Sequence, residues 1–273
     1  MKLFDSHCHI DGAEYDDDRD AVLQRARDAG VAACMIAGIN AESAFKAVSL
    51  ADSSDMIYAA VGVHPHDAAN CTDRVLAYLT ELAVHPRVCA WGEIGLDFNR
   101  MHSPKPVQEY WMARQLDIAV EFKLPLIFHE RDTDGRMLEI LRYHAFETIQ
   151  GVVHCFTGSE DELSAYLDLG LCIGVTGIIT MEKRGESLRR LISRIPMDRM
   201  LIETDAPYLT PSPERNRFKR NEPAFVRSVF LKLSNLLGMD SEILAETLWE
   251  STCQTFGIDS ATGNRNRISL RGA

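Results

Sequence analysis

The strongest constraint in this chain is a repeated alternation. Eight short apolar runs, at residues 2–5, 31–37, 57–63, 88–92, 125–129, 151–154, 171–175 and 200–203, are separated by longer stretches with the apolar spacing of helices. Runs that are apolar throughout and bounded by Gly, Pro or polar residues read as parallel strands buried on both faces. The stretches between them, 20–29, 42–51, 74–84, 107–122, 135–143, 160–169 and 187–193, read as helices, and two more follow at 223–237 and 241–256. Gly30 and Gly170 stand where helix C-terminal caps belong.

Eight strands alternating with helices predict an α/β protein, a (β/α)8 TIM barrel. The alternative is a doubly wound open sheet, which often carries a GxGxxG turn after its first strand. Here the first run leads instead into Asp5-Ser6-His7-Cys8-His9. No Pro-, Gly- or Ser-rich linker divides the 273 residues, so we expect one barrel domain over residues 1–260 and a polar tail over 261–273. No apolar run approaches the ~18 residues of a membrane span. The start, MKLFDSHCHIDG, turns polar too early for a signal peptide, which predicts a cytoplasmic protein. Seven Cys without a CxxC pair argue against a disulfide framework or a zinc ribbon. The net charge of −11 argues against a protein that coats DNA through general basicity.

The histidines carry the functional signal. Six of the nine, His7, His9, His64, His66, His129 and His154, lie at or just after the C-terminal end of a run. Glu93 follows the fourth run and Asp205 lies just past the eighth. Barrel active sites are built at this end of the strands. Taken singly, each residue has a bland reading: the HxH pair as surface or core histidines, His129 and His154 as satisfied core histidines, Asp205 as a loop cap. Two features weigh the other way. Alternation along an extended chain puts His7 and His9 on one side. Glu93, flanked by apolar neighbours, needs a partner for its charge. Together His7, His9, Glu93, His129, His154 and Asp205 form a ligand set for divalent metal ions. Six ligands with two carboxylates suit two ions sharing Glu93. Such pairs, ~3.5–4 Å apart, suit hydrolysis at phosphorus.

A charge map agrees with an anionic substrate. Residues 182–220 hold ten basic and six acidic residues in an otherwise acidic chain. Arg215, Arg217, Lys219 and Arg220 fall in the loop after the eighth run, a frequent phosphate-binding place in barrels. The competing reading is a solvated loop. Arg131, two residues past His129, is the better single phosphate contact. His64, His66 and Tyr208 are expected to face the mouth and meet substrate. Few aromatics, Phe98, Phe156 and Tyr208, lie there, which favours a single-stranded or frayed end over a duplex track.

Several motifs carry a resemblance. Phe4-Asp-Ser-His-Cys-His-Ile-Asp11, Gly62-Val-His-Pro-His66, Gly92-Glu-Ile-Gly-Leu-Asp-Phe98 and Pro125-Leu-Ile-Phe-His-Glu-Arg-Asp132 are similar to segments of the TatD family of metal-dependent deoxyribonucleases. So are Val153-His-Cys-Phe-Thr-Gly158, Leu201-Ile-Glu-Thr-Asp-Ala-Pro-Tyr-Leu209 and Asn221-Glu-Pro-Ala224. The resemblance implies a TIM barrel of the metallo-dependent hydrolase type that cleaves phosphodiester bonds in DNA, often as a 3′–5′ exonuclease. It implies two divalent ions, Mg²⁺ first, with Mn²⁺ or Zn²⁺ as alternatives. It assigns the ligands to the same six residues, with Glu93 bridging. Near the C-terminus Glu250-Ser-Thr-Cys253 stands where many members carry an Asn, a position we expect to be structural.

The expected mechanism is metal-assisted attack of water on phosphorus, with Asp205 accepting the proton and Glu203 supporting from deeper in the barrel. The rivals are a barrel amidohydrolase acting on a small cyclic amide or ester, a non-catalytic nucleic-acid-binding relative, and a structural zinc involving Cys8 and Cys155. The basic loop favours phosphate over the first. The complete ligand set weighs against the second. Strand alternation turns both Cys away from the ligands, against the third.

Overall fold

The structure is a computed structural model that describes residues 1–144 and 150–265. Eight parallel strands form one sheet in sequence order: β1 Leu3–Cys8, β2 Val31–Ala37, β3 Ile57–Val61, β4 Val88–Asp97, β5 Leu126–Arg131, β6 Gly151–Val153, β7 Cys172–Val175 and β8 Met200–Ile202. A helix follows each: α1 Arg19–Asp28, α2 Ala41–Ser53, α3 Asp73–Ala83, α4 Lys105–Glu121, α5 Arg136–Tyr143, α6 Glu160–Asp168, α7 Glu186–Leu191 and α8 Val226–Leu237, with α9 Ser241–Thr255 last. The (β/α)8 barrel read from the alternation is the fold. Gly30 and Gly170 end their helices at φ +89 and +84, the left-handed conformation that glycine adopts without a Cβ penalty.

The strands bury apolar side chains on both faces. Leu3, Cys34, Ile36, Ile57 and Ala59 pack outward against the helices. Their neighbours Phe4, Met35, Tyr58, Ala60 and Ile127 fill the barrel interior. Cys253 and Phe256, at the end of α9, join that interior layer, so the last helix plugs one end of the barrel. The other end stays open for chemistry.

Two strands run three or more residues past the ends read from the sequence, and both extensions matter. β1 runs to Cys8 instead of stopping at Asp5, and β4 runs to Asp97 instead of Gly92. His7 and Glu93 therefore sit inside strands. Gly95 permits the β4 extension: it has φ +143, and a Cβ there would lie 1.9 Å from the His129 carbonyl. Such an approach of β4 to β5 is open only to glycine.

The first residues of the expected tail 261–273 touch the barrel. Residues 258 and 265 form an antiparallel bridge, and the Tyr58 hydroxyl donates to the Gly263 carbonyl at 2.7 Å. Residues 266–273 of that tail lie outside the described residues. All seven Cys are free, and no helix among the described residues is long and apolar enough to cross a membrane.

Candidate metal centre

Glu93 is the hub of the open end. It is buried, and imidazoles surround it. Its Oε2 faces His7 Nε2 at 3.2 Å and His9 Nε2 at 3.6 Å. Its Oε1 faces His129 Nδ1 at 2.9 Å, His154 Nε2 at 3.2 Å and His64 Nε2 at 3.3 Å. Burial alone would raise its carboxyl, but His64, His154 and His7 outweigh that and hold it well below the usual carboxylate range. Asp205 completes the ring, with Oδ1 at 3.5 Å from His9 Nε2 and 3.9 Å from His7 Nε2. All six residues expected as ligands converge. His7, His9 and Glu93 bring ligand atoms within 4.8 Å of one another, as do His7, His154 and Asp205, and Glu93, His129 and His154.

Backbone ties place these side chains. Asp205 lies beyond β8 at φ +56, in the left-handed region. Its N–H donates to the His7 carbonyl at 2.9 Å, and the His9 N–H donates to the Ala206 carbonyl at 2.7 Å. The preceding Thr204 is held through its N–H and hydroxyl by the Asp5 carboxylate, at 2.7 and 2.6 Å. The buried Asn221 amide donates to the carbonyls of Thr204 and Tyr208. Glu203 sits behind His154: its oxygens accept from the Cys155 N–H at 2.5 Å and the Ser6 hydroxyl at 3.2 Å, and Oε1 is 3.3 Å from His154 Nδ1. It supports the centre from below, as its deeper position implied.

The chemistry of the donor set fits cations. The His9 ring donates through Nδ1 to the Ala37 carbonyl at 3.0 Å, so Nε2 is the ring nitrogen turned to the centre. That nitrogen lies 3.2 Å from His7 Nε2, a spacing that demands a shared proton or cation. His129 has a carboxylate at each ring nitrogen, Glu93 at 2.9 Å and Asp97 at 3.2 Å. Burial disfavours its charge, yet hydrogen bonds to Asp97 and Glu93 raise its proton affinity above the ordinary value. The same balance acts on His9, where burial is overcome by Asp205 and Glu93 and the imidazole is pushed up to about 9. His154 too is raised, by Glu93 and Glu203 against burial. A divalent ion can replace such protons, because metal and proton compete for the same lone pairs.

Asp97 was not singled out from the sequence. It is fully buried, and its Oδ2 lies 2.6 Å from His66 Nε2 and 3.2 Å from His129 Nε2. Its Oδ1 accepts from the N–H groups of Asn99 and Arg100. Burial is outweighed by these hydrogen bonds, which hold its carboxyl well below the usual range. A carboxylate cannot donate, so both histidines donate from Nε2 and His129 is left with Nδ1 as its ligand atom. The Glu93-x-Gly-x-Asp97 spacing was the available signal, since period-two alternation puts both acids on one face.

The substrate-facing candidates separate. His64 and His66, expected to meet substrate, are drawn into the centre itself. His64 Nδ1 accepts from the His66 N–H at 3.0 Å, so its Nε2 carries the hydrogen and donates towards Glu93. Burial pushes the His64 imidazole down to about 4, so it stays neutral. Arg131 ends β5 two residues past His129, on the same face by alternation, without an ion pair among the described residues. Tyr208 is exposed at the rim, its ring 6.3 Å from that of His9. Arg220, also expected to meet substrate, is engaged with the fold: its guanidinium pairs with Asp18 at 2.7 Å, donates to the Glu14 carbonyl and stacks on Tyr15. Cys8 is buried, and Cys155 touches the Thr176 hydroxyl; neither joins the ligands.

Imidazoles and carboxylates gathered at the C-terminal mouth of a (β/α)8 barrel define the class of metal-dependent hydrolases. Residues 4–257 match the family model described as TatD related DNase, and the chain belongs to that family. It is 40% identical over 261 residues to a protein of Rahnella sp. (strain Y9602) named 3′-5′ ssDNA/RNA exonuclease TatD, covering 94% of this chain and 99% of that one. It is 36% identical over 257 residues to the uncharacterized metal-dependent hydrolase YabD of Bacillus subtilis, covering 94% and 100%. Among solved structures, YjjV, a TatD homolog from Escherichia coli K12, superposes with a TM-score of 0.87 at 32% identity, covering 94% of this chain and 98% of that one. The protein is a metal-dependent hydrolase acting on phosphodiester bonds.

Proposed function

We propose that this chain is a 3′–5′ exonuclease acting on single-stranded DNA or frayed ends, with two divalent ions, Mg²⁺ first, held between Glu93 and the surrounding ligands. One observation carries the two-ion reading: the two oxygens of Glu93 face different histidine sets, His7 and His9 on one side, His129 and His154 on the other. His7, His9 and Asp205 would hold one ion, and His129 and His154 the other, with Glu93 common to both. Bound ions would ease deprotonation of water and draw charge from the phosphate. Polarity and single-strand preference follow the names of the relatives and the open, sparsely aromatic mouth.

The chain's own groups do the rest. Asp205 is ionised, because its histidine partners outweigh burial, and it is the carboxylate placed to take a proton from water. Arg131 on the face of His129 offers a guanidinium to a phosphate oxygen. His64 donates from a neutral ring and adds no charge to the centre. Glu203 and Asp97 orient His154 and His129 from behind. Tyr208 offers a stacking face to the terminal base.

Digestion of single-stranded and duplex oligonucleotides, labelled at the 5′ or the 3′ end, tests this. With Mg²⁺ or Mn²⁺ the 5′-labelled single strand shortens stepwise, the 3′ label is released at once, and EDTA stops both. Turnover of a neutral cyclic amide with phosphodiesters left intact would favour the amidohydrolase alternative.

A further inference from the structure

A cleft outside the metal centre is lined by two segments, residues 181–184 after β7 and residues 209–210 and 215–219 after β8, and has a volume of about 980 Å³. We propose that this cleft holds the single strand that continues from the scissile phosphodiester, gripping its backbone through cations and stacking a base on Phe218. The proposal deepens the nuclease reading and rests on it.

The cations of this region sort into two sets. Arg189 donates to the carbonyls of Ile179, Met181 and Glu182. Arg190 pairs with Glu186, Arg194 with Glu160 and Arg220 with Asp18, while Arg199 donates to the Gly170 carbonyl. Those five are spent on the fold. The other five basic residues of the segment 182–220 are Lys183, Arg184, Arg215, Arg217 and Lys219, and all of them line the cleft. None has a side-chain hydrogen bond or ion pair among the described residues. Of the acids nearby, Glu182 lines the cleft, whereas Glu214 accepts from the Ser228 hydroxyl at 2.6 Å on the neighbouring helix α8. Unpaired cations gathered in one concavity of a chain of net charge −11 focus a positive field on an anionic ligand.

The walls are built. Arg189 clamps the turn that carries Lys183 and Arg184. The Ser212 N–H donates to the Thr180 hydroxyl at 2.8 Å, joining the two segments. They also meet at Gly177, where a Cβ would lie 2.3 Å from the Leu209 carbonyl. Phe218 is half exposed at 51%, with Phe225 behind it at 5.2 Å between ring centroids, so one face is supported and one is open. Leu209 of the cleft follows Tyr208, whose ring meets His9 at the metal centre. Tyr208 beside the metal centre and Phe218 in the cleft thus belong to the same stretch of chain after β8. The cleft's volume of about 980 Å³ stands at the upper end of the ~300–1,000 Å³ range of small-molecule sites, room for more than one nucleotide. Cations for the backbone with an open aromatic face are the elements of single-strand binding, and a duplex has no free base to offer Phe218.

Fluorescence anisotropy of the metal-loaded protein tests this. The probes are 5′-fluorescein oligothymidylates, a dinucleotide and a dodecanucleotide, with phosphorothioate linkages that resist hydrolysis. Wild type is expected to bind the longer probe more tightly. The combined variant Lys183→Gln, Arg184→Gln, Arg215→Gln, Arg217→Gln and Lys219→Gln should flatten the slope of log affinity against log salt by about 1.4–2.1, from ~0.7 for each of two or three phosphates. Phe218→Ala should weaken binding about five-fold or more. Circular dichroism checks that both variants fold. A control with Arg27, Lys123, Arg142, Lys232 and Arg265 changed to Gln removes the same charge elsewhere and should keep the wild-type slope. A wild-type slope in the cleft variant, an equal loss in the control, or equal competition by duplex would overturn the proposal. If wild type leaves unmodified oligothymidylate intact with Mg²⁺ and Mn²⁺, the nuclease reading fails, while anisotropy still decides the cleft.

Discussion

Replacing Asp97 by Asn changes one atom of the centre and reverses its hydrogen-bond chemistry. The asparagine side chain would keep an oxygen for the N–H groups of Asn99 and Arg100, now served by Oδ1. In place of Oδ2 it would present an amide donor to His66 and His129, which now donate to that oxygen at 2.6 and 3.2 Å. To accept from that amide, the His129 ring must move its proton from Nε2 to Nδ1. Nδ1 is the nitrogen 2.9 Å from Glu93, so the ligand atom is lost in the favoured tautomer. Loss of such an outer carboxylate costs ~10–100-fold in metal affinity, or ~1.4–2.7 kcal/mol. At metal one hundred times the wild-type Kd, binding stabilises the wild type by ~2.7 kcal/mol. For the variant that falls to ~1.4 or ~0.4 kcal/mol, and the metal-induced rise in Tm shrinks by about 3–9 °C. The assay is a thermal melt of each protein with and without Mn²⁺, beside a calorimetric Mn²⁺ titration. Each protein is compared with its own metal-free form, so a folding defect cancels. Wild-type Mn²⁺ affinity in Asp97→Asn would refute the tautomer argument.

Three further outcomes follow from the same contacts. Glu93→Ala should abolish hydrolysis and lower the bound metal count measured by elemental analysis while the barrel still folds; a fully active variant would end the shared-carboxylate reading. Arg220→Gln should cost about 1–2 kcal/mol, from a partly exposed ion pair and a cation–π contact, read as a fall in Tm of several degrees. It should leave oligonucleotide affinity unchanged, and a flattened salt slope would return Arg220 to the substrate. Burial pushes the Cys89 thiol up to about 12 from its usual 9.0. A raised folded pKa means that the stability is fully present below about pH 9 and is lost as pH climbs towards 12. By pH 10.5 the loss is ~2 kcal/mol. Melts from pH 7 to 10.5 should therefore fall more steeply for wild type than for Cys89→Ala, and parallel curves would show that the thiol does not contribute.

The barrel and its six ligands were legible because both depend on contrast along the chain. A strand buried on both faces is apolar throughout, so a histidine or acid at its end stands out, as His129 does after Leu-Ile-Phe and Glu93 after Ala-Trp-Gly. The reading failed where glycine meant close approach instead of termination. Gly92 looked like the end of β4; instead the chain continues, and Gly95 lets β4 press against the His129 carbonyl and carry the ladder to Asp97. The basic loop was legible as charge but not as function. Arg220 differs from Arg217 in having Glu14, Tyr15 and Asp18 across the fold, partners some two hundred residues away in sequence that no local pattern reveals.

The same long-range pairing explains why the site lies where the barrel closes. Adjacent strands from β1 to β8 share ladders, but at the seam between the last segment and the first the described contacts are fewer. Its backbone links are the Cys8–Ala206 bridge and the bonds from Asp205 to His7 and from His9 to Ala206, among the described residues. Asp5 and Asn221 reinforce that seam through Thr204, which fixes Asp205 in a conformation that residues other than glycine seldom adopt. His7 comes from the first strand, His9 from the residue just past it and Asp205 from beyond the eighth. An ion held by all three would therefore be a cross-link over the weakest join in the sheet. Bonds that aim the ligands and bonds that close the barrel are the same bonds, so substitutions at Asp5 or Thr204, which touch no substrate, should act on metal affinity as much as on stability.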